Sequence, residues 1–75
     1  MATRKTLRQL RSERDRSQVE MAMDLDTTQS QVSRMEGGKH SITLRALREY
    51  LRALGVRLVV MYEDEGGRTE IEWEP

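Results

Sequence analysis

The chain has 75 residues, no cysteine and one histidine, so disulfides and cysteine- or histidine-rich metal sites are excluded. Its 13 basic and 13 acidic side chains cancel to a net charge of zero, and no apolar run approaches the roughly 20 residues of a membrane span. We expect one small cytoplasmic domain that makes no membrane contact and forms a homodimer, because a core of this size is marginal by itself.

The two ends of the chain carry opposite charge. Residues 1–16 contain six basic and two acidic side chains, a net charge of +4, whereas residues 61–75 contain one and six, a net charge of −5. A basic N-terminal end suits a polyanion, and an acidic C-terminal end suits a basic partner. For the acidic end, ordinary solvated surface is an equally good explanation.

Two helices are predicted in the first third of the chain. The first covers residues 4–14, in which Leu7 and Leu10 share one face. The second begins after Ser17, an N-cap residue whose capping box is completed by Glu20. The residues predicted to be buried in the second helix are Val19, Met21, Ala22 and Leu25.

The third helix is predicted from about Gln29 to Glu36, after the N-cap residue Thr28. Its inward residues are Val32 and Met35. Two glycines follow and end it, as glycine commonly does at helix C-termini.

A loop of residues 39–42 leads to the fourth helix, which is predicted to begin after Thr43 and to end at Gly55. The lone histidine, His40, lies in this loop and is predicted to be a surface residue rather than a metal ligand or a base. The apolar stripe of the fourth helix consists of Leu44, Leu47, Leu51 and Leu54, with Tyr50 beside them.

After the fourth helix the apolar period changes from that of a helix to the alternation of a strand. The first predicted strand, residues 56–62, has apolar residues on both faces, and residues 63–67 form a turn. In the second strand Thr69, Ile71 and Trp73 alternate with charged residues, which indicates a half-buried strand with a charged outer face.

The predicted fold is therefore mainly α with a small β element: a four-helix domain in residues 1–55 and a C-terminal β-hairpin in residues 56–75. A lone hairpin is marginally stable in water. We expect this one either to pack on the fourth helix or to pair with its copy in a second subunit. The candidate residues of a dimer or partner interface are Val59, Met61, Ile71 and Trp73.

Residues 17–38, which read SQVEMAMDLDTTQSQVSRMEGG, are the most informative segment. They predict a helix, a tight turn and a second helix whose N-terminus is rich in short polar side chains. Such an N-terminus can contact a phosphate through its backbone amides and base edges through its side chains. The segment therefore indicates a helix-turn-helix that binds nucleic acid.

The pattern from Leu7 to Gly55 resembles the Cro/C1-type (XRE) helix-turn-helix family over about two-thirds of the chain. The features that carry the resemblance are Arg11, Ser17-Gln18, Met21-Ala22, the QSQVSR stretch of residues 29–34, Glu36 before Gly38, and Ala53-Leu54-Gly55. One departure is Asp26, which lies in the turn where the family often has glycine. Because aspartate tolerates left-handed backbone angles, we expect the fold to be retained.

The resemblance implies that the third helix enters the major groove of duplex DNA. The residues predicted to contact bases are Gln29, Ser30, Ser33 and Arg34. The residues predicted to contact phosphates are Gln18, Thr28, Gln31, Lys39 and Arg8. For Arg8, a solvated side chain is an equally good explanation. The resemblance also implies a partly buried ion pair between Arg11 and Glu36. With no cysteine and one histidine in the chain, we expect no catalytic residue, metal or cofactor.

These features predict a sequence-specific transcriptional repressor that binds double-stranded DNA as a dimer on an inverted repeat. The short domain with a strand pair and an acidic tail also looks like HigA-like antitoxins encoded beside RelE/HigB-type toxins. That resemblance implies a RelE/HigB-like toxin as a second partner and repression of the protein's own operon.

The alternative is a protein-interaction module that keeps the helix-turn-helix only as a scaffold and binds a basic partner through its acidic C-terminal segment. An enzyme is not expected. The one histidine has no spaced carboxylate partner, and the glycine pairs lack the lysine and the spacing of a phosphate-binding loop.

Overall fold

The computed structural model describes residues 3–38 and 41–73. Four α-helices come first, and a two-stranded antiparallel hairpin follows, which confirms the predicted fold class. The helices are α1 (Leu7–Glu13), α2 (Gln18–Asp24), α3 (Gln29–Gly37) and α4 (Leu44–Ala53). The strands are β1 (Val60–Asp64) and β2 (Gly67–Ile71). No helix in the described parts of the chain is long and apolar enough to cross a membrane.

Hydroxyl side chains set where the helices begin. Thr6, Ser17, Thr28 and Thr43 each accept a hydrogen bond from the backbone N–H three residues ahead. Such a cap stabilises a helix by about 1 kcal/mol relative to alanine. The cap at Thr6, completed by the Gln9 side chain, explains why α1 begins at Leu7 and not at residue 4 as predicted.

The core lies between α2, α3 and α4, with α1 packed against it. The buried residues are Met21, Ala22, Val32, Tyr50, Leu51 and Leu54. Two residues predicted to be buried are not, because Val19 is 50% exposed and Leu44 is 48% exposed. Both stand in the first turn of their helices. Helical spacing fixes the face on which a residue lies, but it does not fix how far the neighbouring elements extend to cover it.

The hairpin is shorter than predicted. The ladder runs only from the pair Val60–Ile71 to the pair Asp64–Gly67, so residues 56–59 lie outside the strand predicted for them. The turn contracts to residues 65 and 66, because Asp64 accepts a hydrogen bond from the Gly66 N–H at 2.9 Å and Gly67 adopts a positive φ of 109°.

The hairpin extends from the helices instead of packing on α4. Every residue of β2 is exposed, although a half-buried strand was predicted. The chain is accordingly elongated, with extents of 42 × 25 × 24 Å. A groove separates the C-terminal half of α4 from the base of the hairpin.

Candidate nucleic-acid interface

Helices α2 and α3 are joined by a tight left-handed turn. Asp26 has a φ of 54°, and the Thr27 N–H donates to the Ala22 carbonyl at 2.9 Å. Aspartate is one of the few residues besides glycine that adopts this conformation readily. The turn therefore forms with aspartate at the position where the resembled family often has glycine.

The outer face of α3 carries the four residues predicted to contact bases. Gln29, Ser30, Ser33 and Arg34 are all exposed. Their spacing of one and four residues puts them on one side of the helix. Val32, on the opposite side, is completely buried, so packing against the core fixes the orientation of this polar row.

The first turns of α2 and α3 meet beside this row. Gln18, Gln29, Ser30 and Ser33 line one shallow cleft. The Gln29 Nε2 donates to the Gln18 Oε1 at 3.4 Å, and the Gln18 Nε2 donates to the Glu36 Oε1 at 3.2 Å. Gln18, predicted to contact phosphate, thus links a base-contact candidate to a buried carboxylate and keeps one N–H of its amide for another acceptor.

The other predicted phosphate contacts are dispersed. Thr28 accepts the Gln31 N–H at 3.2 Å as the helix cap, which leaves its hydroxyl proton free to donate. Gln31 is exposed but lines a different groove, toward the start of α4. Arg8 is exposed, with its Nε 3.7 Å from the Glu36 Oε1. Lys39 and His40 lie outside the described residues.

A buried carboxylate ties α1, α2, α3 and α4 together behind the interface. The Glu36 side chain is 0% exposed. Arg11 donates to both of its oxygens, from Nε at 2.7 Å and from its second terminal nitrogen at 3.1 Å. The Tyr50 hydroxyl donates at 2.7 Å and Gln18 supplies a further hydrogen bond. Such a fully hydrogen-bonded pair is the form in which a buried charge is tolerated.

Tyr50 is a member of this network that the sequence reasoning missed. The sequence places Tyr50 beside the apolar stripe of α4, and its ring is buried. Its hydroxyl, however, donates to Glu36 at 2.7 Å, and the Leu7 carbonyl lies within reach of the same proton, at 3.3 Å. The available signal was the residue type, because a buried tyrosine usually finds a hydrogen-bond partner for its hydroxyl.

The network shifts the pKa values of its members. Burial raises the pKa of the Glu36 carboxyl, but the hydrogen bonds from Arg11, Tyr50 and Gln18 outweigh burial, so the pKa lies below its ordinary value. Burial and the hydrogen bond to Glu36 raise the pKa of the Tyr50 hydroxyl above its usual range. The Glu36 carboxylate also raises the pKa of Arg11.

We expect the stability of the domain to fall at both ends of the pH scale. The contribution of Glu36 is complete above its unfolded-state pKa of about 4.3 and is lost as the pH falls through the lower folded-state value. The contribution of Tyr50 is complete below about pH 10 and is lost as the pH rises toward its raised folded-state value. Urea midpoints measured between about pH 3 and 11 should show a plateau between these limits. An alkaline decline of unchanged size in Tyr50→Phe would contradict the assignment.

Two further arginines of the basic N-terminal end hold the C-terminus of α4. The Arg14 Nε donates to the Leu54 carbonyl at 3.0 Å. Arg16 forms an ion pair with Asp24 and donates to the Ala53 carbonyl at 3.4 Å. Cations suit a helix C-terminus, where carbonyls lack partners within the helix. Arg11 also points inward, so three of the six basic side chains of residues 1–16 form hydrogen bonds that join one part of the fold to another.

The residues predicted for a dimer or partner interface do not form one face. Ile71 pairs with Val60, and so shares a hairpin face with Tyr62, whereas Met61 pairs with Glu70 on the opposite, charged face. Val59 is 39%, Ile71 43% and Met61 52% exposed. Trp73 is partly buried at the groove beside α4.

Comparison with known proteins identifies the family of this arrangement. A family model described as a helix-turn-helix domain matches residues 4–61. Among the solved structures, six chains match. One of them, a HigA antitoxin described as inducing DNA bending by unique dimerization, has a TM-score of 0.76 at 24% sequence identity. The match covers 97% of this chain and 99% of that chain, so the two share the fold of helices and hairpin. No curated protein matches the sequence significantly. The resemblance found in the sequence is thus confirmed.

Proposed function

This chain belongs to the helix-turn-helix domain family, and on that premise we propose that it is a sequence-specific transcriptional repressor that binds duplex DNA. The observation that carries the proposal is the exposed polar row of Gln29, Ser30, Ser33 and Arg34 on the outer side of α3. A helix that is buried on one side and polar on the other can lie in the major groove while its opposite side stays in the core.

The chemistry of the row fits base recognition. The Gln29 carboxamide suits adenine, to which it can form two hydrogen bonds, and the Arg34 guanidinium suits the O6 and N7 of guanine. Ser30 and Ser33 can donate to or accept from either kind of base. The Thr28 hydroxyl and the backbone amides of the first turn suit a neighbouring phosphate, which fixes the register of the helix.

A homodimer completes the proposal. Two copies related by a two-fold axis present their α3 helices about 34 Å apart, one turn of B-DNA, and therefore recognise an inverted repeat. The structurally similar HigA antitoxin, which is described as dimerizing and bending DNA, supports a dimer here. The hairpin is largely exposed, so its surface is available for such an association in each protomer.

DNA binding is expected to weaken steeply as the salt concentration rises. Each protomer has three charged candidates, Arg8, Arg34 and Lys39, which give about six phosphate or base contacts per dimer. Raising salt from about 50 to 200 mM should therefore lower affinity about 10³-fold. Fluorescence anisotropy with a duplex from the protein's own upstream region measures the change. A duplex of scrambled sequence is the control. Equal affinity for both duplexes, or a flat salt dependence, would contradict sequence-specific binding.

We also propose an antitoxin role, in which a basic RNA-cleaving toxin binds the tip of the hairpin. Glu63, Asp64 and Glu65 lie there, and all three are exposed. A cluster of carboxylates attracts a basic protein and speeds its encounter. The HigA likeness supports the same role. Co-purification with the product of the neighbouring reading frame tests it, and the variant with these three residues changed to Gln, Asn and Gln should lose that product.

A further inference from the structure

The groove between α4 and the hairpin combines opposite charges with apolar surface. Arg48 and Arg52 of α4 and Arg57 of the connection line it, together with Glu70, Ile71 and Glu72 at the end of the hairpin. We call this surface the helix–hairpin groove. It contains none of the residues proposed to contact DNA, so a partner can occupy it while α3 lies in the major groove.

The polar groups of the helix–hairpin groove are unused within the chain. None of its three arginines and two glutamates forms an ion pair with another residue in the described part of the chain. The Nε of Arg48 is buried, and it has no hydrogen-bond partner among the described residues.

The chain also exposes more surface than a compact monomer of its length. A compact chain of 75 residues is expected to expose about 4,800 Å², whereas this one exposes 6144 Å². The excess of about 1,300 Å² exceeds the roughly 800 Å² that one partner buries in a standard interface. Among the exposed apolar side chains, Ile71 and Val59 line the groove and are 43% and 39% exposed.

We infer that a second copy of this chain occupies the helix–hairpin groove, in a two-fold arrangement that sets the arginines of each copy against Glu70 and Glu72 of the other. This inference rests on the proposed dimeric function and assigns its surface. A two-fold interface must be self-complementary, because the same patch meets itself. The groove satisfies that requirement, since it carries both signs of charge together with apolar side chains.

The charges of the groove also argue against a basic toxin or DNA as its occupant. A basic toxin would meet Arg48, Arg52 and Arg57, and DNA would meet Glu70 and Glu72, so each would face repulsion from part of the groove. Only a partner that itself bears both charges pairs with all five side chains. In the dimer, the apolar surface around Ile71 would be removed from contact with water, which favours association.

The test uses two charge-reversed variants of the full chain. The acidic variant carries Arg52→Glu and Arg57→Glu, and the basic variant carries Glu70→Arg and Glu72→Arg. Each alone should self-associate at least about tenfold more weakly than the wild type, because like charges then meet across the two-fold axis. An equimolar mixture of the two should form a heterodimer at least as tight as the wild-type dimer. Sedimentation equilibrium without DNA, at about 150 mM salt, measures all three.

A matched control separates the effect of the groove residues from the effect of a changed net charge. The variant with Arg4→Glu and Arg45→Glu has the same net charge as the acidic variant, but both of its changes are on exposed surface outside the groove. It should dimerise like the wild type. Circular dichroism checks that each variant folds. If a double variant does not fold, the single changes Arg52→Glu and Glu72→Arg replace it.

The outcomes separate this inference from the proposed function. A wild-type dimer whose acidic variant dimerises equally well, or whose two variants fail to combine, overturns the helix–hairpin groove as the dimer surface but leaves a dimeric repressor. A wild type that remains monomeric both in solution and on its DNA overturns the dimeric function itself. If the groove binds a basic toxin instead, the acidic variant dimerises normally and binds that toxin more tightly.

Discussion

Arg11→Ala is expected to lower the free energy of unfolding by about 3–5 kcal/mol, which is a large fraction of the stability expected of a domain this small. The substitution leaves the Glu36 carboxylate completely buried without the guanidinium that contacts both of its oxygens. It also removes the hydrogen bond from Arg11 to the Arg16 carbonyl at 2.7 Å, which holds the loop between α1 and α2. Urea unfolding followed by circular dichroism measures the loss.

Arg8→Ala is the matched control for that result. Arg8 approaches the same carboxylate at 3.7 Å, but its side chain is 63% exposed, and exposed pairs contribute only about 0–1 kcal/mol. Arg11→Lys should give an intermediate loss, because lysine keeps the charge but cannot contact both oxygens. Similar unfolding midpoints for Arg8→Ala and Arg11→Ala would show that the buried pair does not stabilise the fold.

Arg34→Ala is expected to weaken binding to the operator by about 2–6 kcal/mol per dimer. The estimate assigns about 1–3 kcal/mol to one two-bond contact with guanine in each half-site. Its stability should change little, because Arg34 is exposed and forms no ion pair with another described residue. Fluorescence anisotropy on the operator and on duplexes altered at one guanine per half-site measures the effect, and the variant should no longer distinguish these duplexes.

Arg45→Ala removes the same charge from an exposed site on α4, where Arg45 pairs with Glu49 at 3.7 Å. It should bind the operator like the wild type. This comparison also tests the alternative in which the helix-turn-helix is only a scaffold for protein interaction. Under that alternative Arg34→Ala and Arg45→Ala behave alike, and neither changes any binding to DNA.

The features that could be read from the sequence are those decided by residues near one another in the chain. The helix starts at Ser17, Thr28 and Thr43 follow from a hydroxyl that caps an amide three residues ahead. The exposed row on α3 follows from helical spacing once Val32 is known to face inward. The partners Arg11 and Glu36, 25 residues apart, came from the resemblance to a family and not from any local pattern.

Tertiary structure decided everything that depends on which elements meet. Only packing brings the Tyr50 hydroxyl and the Gln18 amide to the one buried carboxylate of Glu36, and only packing exposes Val19 and Leu44 at the helix ends. The strand register, not the alternation of the sequence, put Ile71 and Met61 on opposite faces of the hairpin. Local hydrogen bonds and helical period are encoded within a few residues, whereas burial and long-range pairing depend on how distant segments close on one another.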